Sequence, residues 1–177
     1  MDHLIALDGH GRMVPTDREA LTRAVADLLD GAPDRAAPLR RAGVGLLVLG
    51  RRAEAISVLE QALALADDRV AVAVHLNLGD AHRYGGDLEA AEPHYRRALH
   101  LCQAHAPDML SFCFQHLGKQ RLDQGRTDEA RALLEKALCL RRAMGDPSLT
   151  AATQTALRLV DEAEARAEAA AAVTAGP

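Results

Sequence analysis

The chain has no tryptophan and only two phenylalanines and two tyrosines among its 177 residues. Surfaces that stack nucleic-acid bases depend on aromatic rings, so that mode of recognition is excluded for want of parts. Nor is there an excess of basic charge. Twenty-one Lys and Arg stand against twenty-five Asp and Glu, a formal net charge of −4, which offers a phosphate backbone no attractive field. No nucleic-acid partner is expected. No apolar run approaches the ~20 residues that a membrane helix requires, so no membrane partner is expected. The opening MDHLIALDGHGRMVP lacks the early positive charge and long apolar stretch of a secretory signal. Cysteine is scarce too: Cys102, Cys113 and Cys139 are an odd, scattered set, unsuited to a disulfide framework. A cytoplasmic setting is the expectation.

What is present is alanine and leucine. Hydrophobic residues make up 49% of the chain and charged residues 26%, a globular balance. With so few rings, the core must be built from good helix formers at close approach. The stretch LGDAHRYGGDLEAAEPHYRRAL, residues 78–99, shows how. Leu78-Gly79 recurs as Leu117-Gly118 and, with Ala for Leu, as Ala42-Gly43. Each is followed by a second glycine (Gly50, Gly86, Gly125), then an alanine (Ala55, Ala91, Ala130), then Ala-Leu (62–63, 98–99, 137–138). Repetition at this period marks stacked supersecondary units. Each window reads as a helical hairpin. The first glycine is a notch where the second helix crosses, and the central glycine ends the first helix by adopting positive φ. Ala55, Leu59 and Ala62, with Ala91, Tyr95, Ala98 and Ala130, Leu134, Ala137, follow i, i+4, i+7 spacing and so share one face of each second helix.

This pattern resembles the tetratricopeptide repeat family, over roughly residues 36–141. AEPHYRRAL is similar to its kinesin-light-chain-like subtype, where a proline sits early in the second helix. ALCLRRAMGDPSLTAAT resembles repeats of actinobacterial regulatory proteins, without the ATPase or DNA-binding domain that usually accompanies them. The resemblance implies an all-α fold: a right-handed superhelix of antiparallel helix pairs, three repeats with a capping helix at each end. Residues 1–14 form an arm or small hairpin. Residues 15–31 form the N-terminal capping helix, started by a Thr16/Glu19 capping box and stopped by Gly31. Residues 146–172 form the C-terminal capping helix, begun by Asp146 and Pro147, and 173–177 a frayed tail. Pro93 removes one helical hydrogen bond and is expected to kink its helix locally.

Few residues suggest chemistry. His100, Cys102 and His105 lie on one helix but on different sides, and a structural zinc site needs four ligands. His75 and His82 share a face and read as packing substitutes that would prefer to be neutral if buried. The acidic pairs read as helix-start or solvated charges. No catalytic residue, metal site or cofactor is expected.

In solenoids, partners are held on the concave side. The resemblance places Arg40, Arg41 and Val44 of repeat one there, then Asn77, Asp80, Arg83 and Tyr84 of repeat two, and Phe112, Gln115, His116 and Lys119 of repeat three. Arg40 and Asn77 match positions that grip a peptide's terminal carboxylate in some members. Val44, Phe112 and His116 replace the others, so that complete grip is absent. The implied function is a non-catalytic adaptor that binds a protein or peptide in this groove. The alternatives are a peptide sensor whose conformation or oligomeric state changes, and, remotely, a metal-binding or catalytic protein using the histidines. AGVGLLVLG, residues 42–50, is apolar on nearly every side and must be covered. The arm with Leu4, Ile5 and Leu7 is the first candidate, a homodimer partner the next, and a partner helix the third.

Overall fold

A computed structural model describes residues 1–31 and 34–174. Its elements, in order, are β1 (Ile5–Leu7), β2 (Met13–Pro15), α1 (Arg18–Gly31), α2 (Ala36–Val48), α3 (Arg52–Ala64), α4 (Asp68–Tyr84), α5 (Leu88–His105), α6 (Leu110–Asp123), α7 (Thr127–Met144) and α8 (Pro147–Thr174). Short 3-10 turns precede β1 and α6. The fold is an all-α right-handed superhelix of antiparallel pairs, α2/α3, α4/α5 and α6/α7. The first helices also meet one another, α2 with α4, α4 with α6 and α6 with α8, and so make one continuous inner row.

The notches set the crossings. A methyl added at Gly43 would lie 2.6 Å from Leu59 Cγ, and one at Gly118 would lie 2.7 Å from Leu134 Cγ. At Gly79 it would enter the Tyr95 ring, 2.7 Å from Cδ1. Leu59, Tyr95 and Leu134 are each fully buried, with alanines one turn to either side. The turn glycines Gly50, Gly86 and Gly125 have φ of +81°, +81° and +74°. The amide after each returns to a carbonyl of the helix just ended: Arg51 to Leu46, Asp87 to His82 and Arg126 to Arg121, at 2.9–3.1 Å. Left-handed glycine with that bond ends a helix and reverses the chain without leaving carbonyls unpaired.

Aspartate starts α4, α5 and α8. Asp67, Asp87 and Asp146 accept the amides of Val70, Ala90 and Leu149 at 2.8–3.0 Å. The same holds at α1, which corrects the Thr16/Glu19 capping box: Asp17 Oδ1 accepts Ala20 N–H at 2.9 Å. The Thr16 hydroxyl instead donates to His3 O, and Glu19 pairs loosely with Arg23. The carboxylate one position later is in range of the free amides and is favoured by their dipole. α5 runs unbroken through Pro93. Among the described residues no helix is long and apolar enough to cross a membrane. α8 is described to Thr174, and the remainder of the 173–177 tail lies outside the described residues.

The N-terminal segment is an antiparallel hairpin, Ile5 opposite Pro15 and Leu7 opposite Met13. A pair of three-residue strands is not stable alone; this one lies on the superhelix. Met1, Leu4, Ile5 and Met13 join the cluster of Leu21, Val25, Val44, Leu47 and Val48. The all-round apolar helix α2 is thus covered by α1, α3 and the chain's own arm.

Candidate functional site

Most of the inner-row residues singled out in the sequence serve the fold. Asp80, 2% exposed, is the hub. Its Oδ1 accepts from the Tyr95 hydroxyl at 2.7 Å and the Arg83 guanidinium at 3.4 Å, and lies 3.0 Å from His116 Nδ1. Arg83 also donates to the Tyr95 oxygen at 3.2 Å and to Asp123 Oδ2 at 2.8 Å. Residues of α4, α5 and α6 are stapled together. Burial opposes the Asp80 charge, but His116, Arg83 and the Tyr95 hydroxyl outweigh it and hold the carboxyl well below its usual range. Burial likewise disfavours the Arg83 charge, and Asp80 and Asp123 reverse that and hold the guanidinium charged. Tyr95 is held as the neutral phenol, by burial first and the adjoining Asp80 next.

Three others meet the hairpin. Val44 lies beneath its apolar residues. The Tyr84 hydroxyl accepts Met13 N–H at 3.3 Å, and the Arg12 guanidinium sits over its ring at 5.4 Å. Burial, then Asp80, pushes the Tyr84 phenol up to about 12. Lys119 Nζ donates to Gly11 O at 2.8 Å, with Gly11 itself buried. The chain's own hairpin therefore lies on the inner surface over repeats one and two and reaches Lys119 of repeat three.

The rest are dispersed. Arg40 Nη1 donates to Asn77 Oδ1 at 3.2 Å, and burial lowers its affinity for the proton. Arg41 is half-buried. Gln115 is buried, and its Oε1 has no hydrogen-bond partner among the described residues. Phe112 lies under the Arg141 guanidinium, 5.2 Å from its ring centre. The other sequence candidates do not converge. The Cys102 thiol is buried and donates to Ala106 O at 2.9 Å, His105 pairs with Asp68, and His100 is exposed. His75 and His82 do meet, through a residue the sequence reading passed over. His94 of α5 stacks on His82 and brings its Nδ1 within 3.2 Å of His75 Nδ1.

One part of the inner surface stays open. Beyond the hairpin loop, between α4, α6 and α8, lies a cavity of about 530 Å³. Asp8, His10 and Arg12 of the hairpin line one side, and Arg83, Lys119 and Asp123 the floor. Leu122, Ala156, Leu159 and Ala163 form an apolar wall, and Arg166 stands at the edge. Of the predicted set, only Arg83 and Lys119 border it. The hairpin and α8 residues were not legible as site residues, because neither segment belongs to the repeat whose positions can be compared.

A family model described as tetratricopeptide repeat matches residues 34–104 and 70–143. No curated protein sequence matches the chain. Among solved structures, a crystal structure of MamA is similar at 19% identity and a TM-score of 0.51, covering 86% of this chain and 91% of that one. BtubC (BKLC) from P. vanneervenii is similar at 22% identity and a TM-score of 0.56, over 90% of this chain and 72% of that one. The Cut9–Hcn1 hetero-tetramer of the APC/C is similar at 18% identity and a TM-score of 0.57, over 82% of this chain and 29% of the other. These likenesses concern the fold.

Proposed function

We propose, from the premise that the chain belongs to the tetratricopeptide repeat family, that it is a non-catalytic adaptor holding a protein or peptide partner against its inner surface. The observation that carries this reading is the open cavity between the hairpin loop, α6 and α8. Its size lies within the ~300–1,000 Å³ of ordinary ligand clefts. It combines an apolar wall with a few convergent polar groups, and rigid helices hold most of it, so a partner meets a surface already in shape. Of the family-implied contact residues, Lys119 and Arg83 border this site; Arg40, Arg41 and Asn77 would contact only a partner long enough to run past the hairpin. Asp80, Arg83 and His116 act as the frame beneath the site.

Site-directed photocrosslinking tests the reading. A benzophenone side chain at Leu159 should form a discrete adduct in extract of the source cell, and the same group at the exposed outer position Arg97 should not. Ala163→Trp, which fills the cavity, should remove the Leu159 adduct while leaving the circular dichroism unchanged. Equal labelling from both positions, or an adduct indifferent to Ala163→Trp, would count against a partner in the cavity.

A further inference from the structure

The cavity holds more positive charge than its own acids balance. Both acids are committed. Asp8 Oδ1 accepts the amides of His10 and Arg12 at 2.9 Å each, which shapes the hairpin loop. Asp123 takes Arg83, which also serves Asp80. The cations are not so matched. Among the described residues, no carboxylate lies within ion-pair distance of Arg12, Lys119 or Arg166. Lys119 uses one of its three N–H donors, on Gly11 O, and burial lowers its hold on the proton. Arg141 of α7 does not line the cavity but adds positive potential at Lys119. It is 3% exposed, it donates only to Leu149 O and Thr153 Oγ1, and its Nε has no partner among the described residues. Burial lowers it to about 10. Arg12 and Arg166 are exposed, but Lys119 is partly buried, where charge without a counter-ion is costly, and an anion reaching Lys119 between the two arginines makes charge-assisted bonds.

The shape narrows the occupant. A helix about 10–12 Å across would fill this volume in roughly one turn, so an extended segment fits better. Opposite the cations, Leu122 and Leu159 offer an apolar contact.

We propose that the cavity takes an aspartate or glutamate of an extended partner segment, its carboxylate among Arg12, Lys119 and Arg166 and a neighbouring aliphatic side chain against Leu122 and Leu159. This rests on the adaptor reading and specifies the partner's chemistry. The hairpin contributes Arg12 and the Gly11 carbonyl that positions Lys119, so it forms part of the site as well as a cover over repeat one.

Fluorescence anisotropy on the full chain tests it. The probes are fluorescein-labelled Gly-Ser-Leu-Glu-Leu-Glu-Leu-Ser-Gly and versions with Gln or Lys in place of Glu. The Glu peptide should bind at least tenfold more tightly than the Gln peptide, less so in high salt, with the Lys peptide weakest. Arg12→Glu with Arg166→Glu should erase the preference for Glu over Gln, and the milder Arg12→Gln with Arg166→Gln should reduce it should the first pair disturb the fold. Equal affinities for Glu and Gln peptides in the wild type, or a preference surviving both double variants, would overturn the proposal. Peptides that bind without discrimination yet are expelled by Ala163→Trp would leave the cavity reading standing and remove only the acidic specificity. No binding of any peptide would remove both.

Discussion

At the scale of single residues, the crossing at Gly79 is tighter than those at Gly43 and Gly118, because a rigid ring faces it rather than a leucine. The Tyr95 ring is fully buried and its hydroxyl is fixed by Asp80 and Arg83, so it cannot swing aside. Gly79→Ala gains about 1 kcal/mol of helix propensity but overpacks the crossing against a ring that cannot yield, at a cost towards the upper end of the roughly 1–3 kcal/mol usual for overpacking. The expected result is a lower melting temperature, by about 2–4 °C per kcal/mol for a chain this size, and a larger drop than Gly43→Ala or Gly118→Ala produces. A Gly79→Ala protein as stable as the wild type would contradict the packing described. The notch glycines were legible because they recur. The staple around Asp80 had a signal that passed unused. Where repeats one and three carry Leu59 and Leu134, repeat two carries Tyr95, and where they carry Leu47 and Leu122 it carries Arg83. A phenol in a core needs a hydrogen-bond partner, and those departures belong together.

At the scale of elements, α4 and α5 share a histidine seam as well as the notch. Burial first, then His94 and Arg97, lower His75 from 6.5 to about 4, and burial and His82 lower His94. Glu60 faces His94 from α3 and opposes its shift. Because the folded protein resists protonation, the unfolded chain binds more protons as pH falls through about 6.5 towards 4. Stability is therefore intact above that window and declines within it. His75 is only partly buried, so solvent screening reduces the effect to an order of 1 kcal/mol. Urea melts at pH 7 and pH 5 should show that loss, and a His75→Leu, His94→Leu protein should show a smaller one. An identical pH dependence in the double variant would dismiss the seam as its source. The helix starts teach a related lesson. Thr16 and Glu19 satisfied a sequence rule, but Asp17 had the geometry, because the hairpin draws Thr16 towards His3.

At the scale of the whole molecule, the superhelix begins by folding its own arm across its inner face. Leu4→Asp with Ile5→Asp should detach the hairpin, since two carboxylates cannot share the cluster around Val44 and Leu47. Hydrogen exchange at Met13 and across residues 42–48 should accelerate, and the protein should bind a hydrophobic dye it otherwise ignores. Unchanged exchange at both places would mean the arm is not what covers α2. The repeat itself, its helix pairs and the glycines that turn them followed from sequence alone, because close helix crossings and positive φ admit few residue types and the chain makes the same choice three times. Which inner-row side chains remain open was decided only in three dimensions. A buried carboxylate recruits whatever donors surround it and an unpaired apolar helix recruits whatever cover is at hand; both are contacts between segments far apart in the chain, which local spacing does not record.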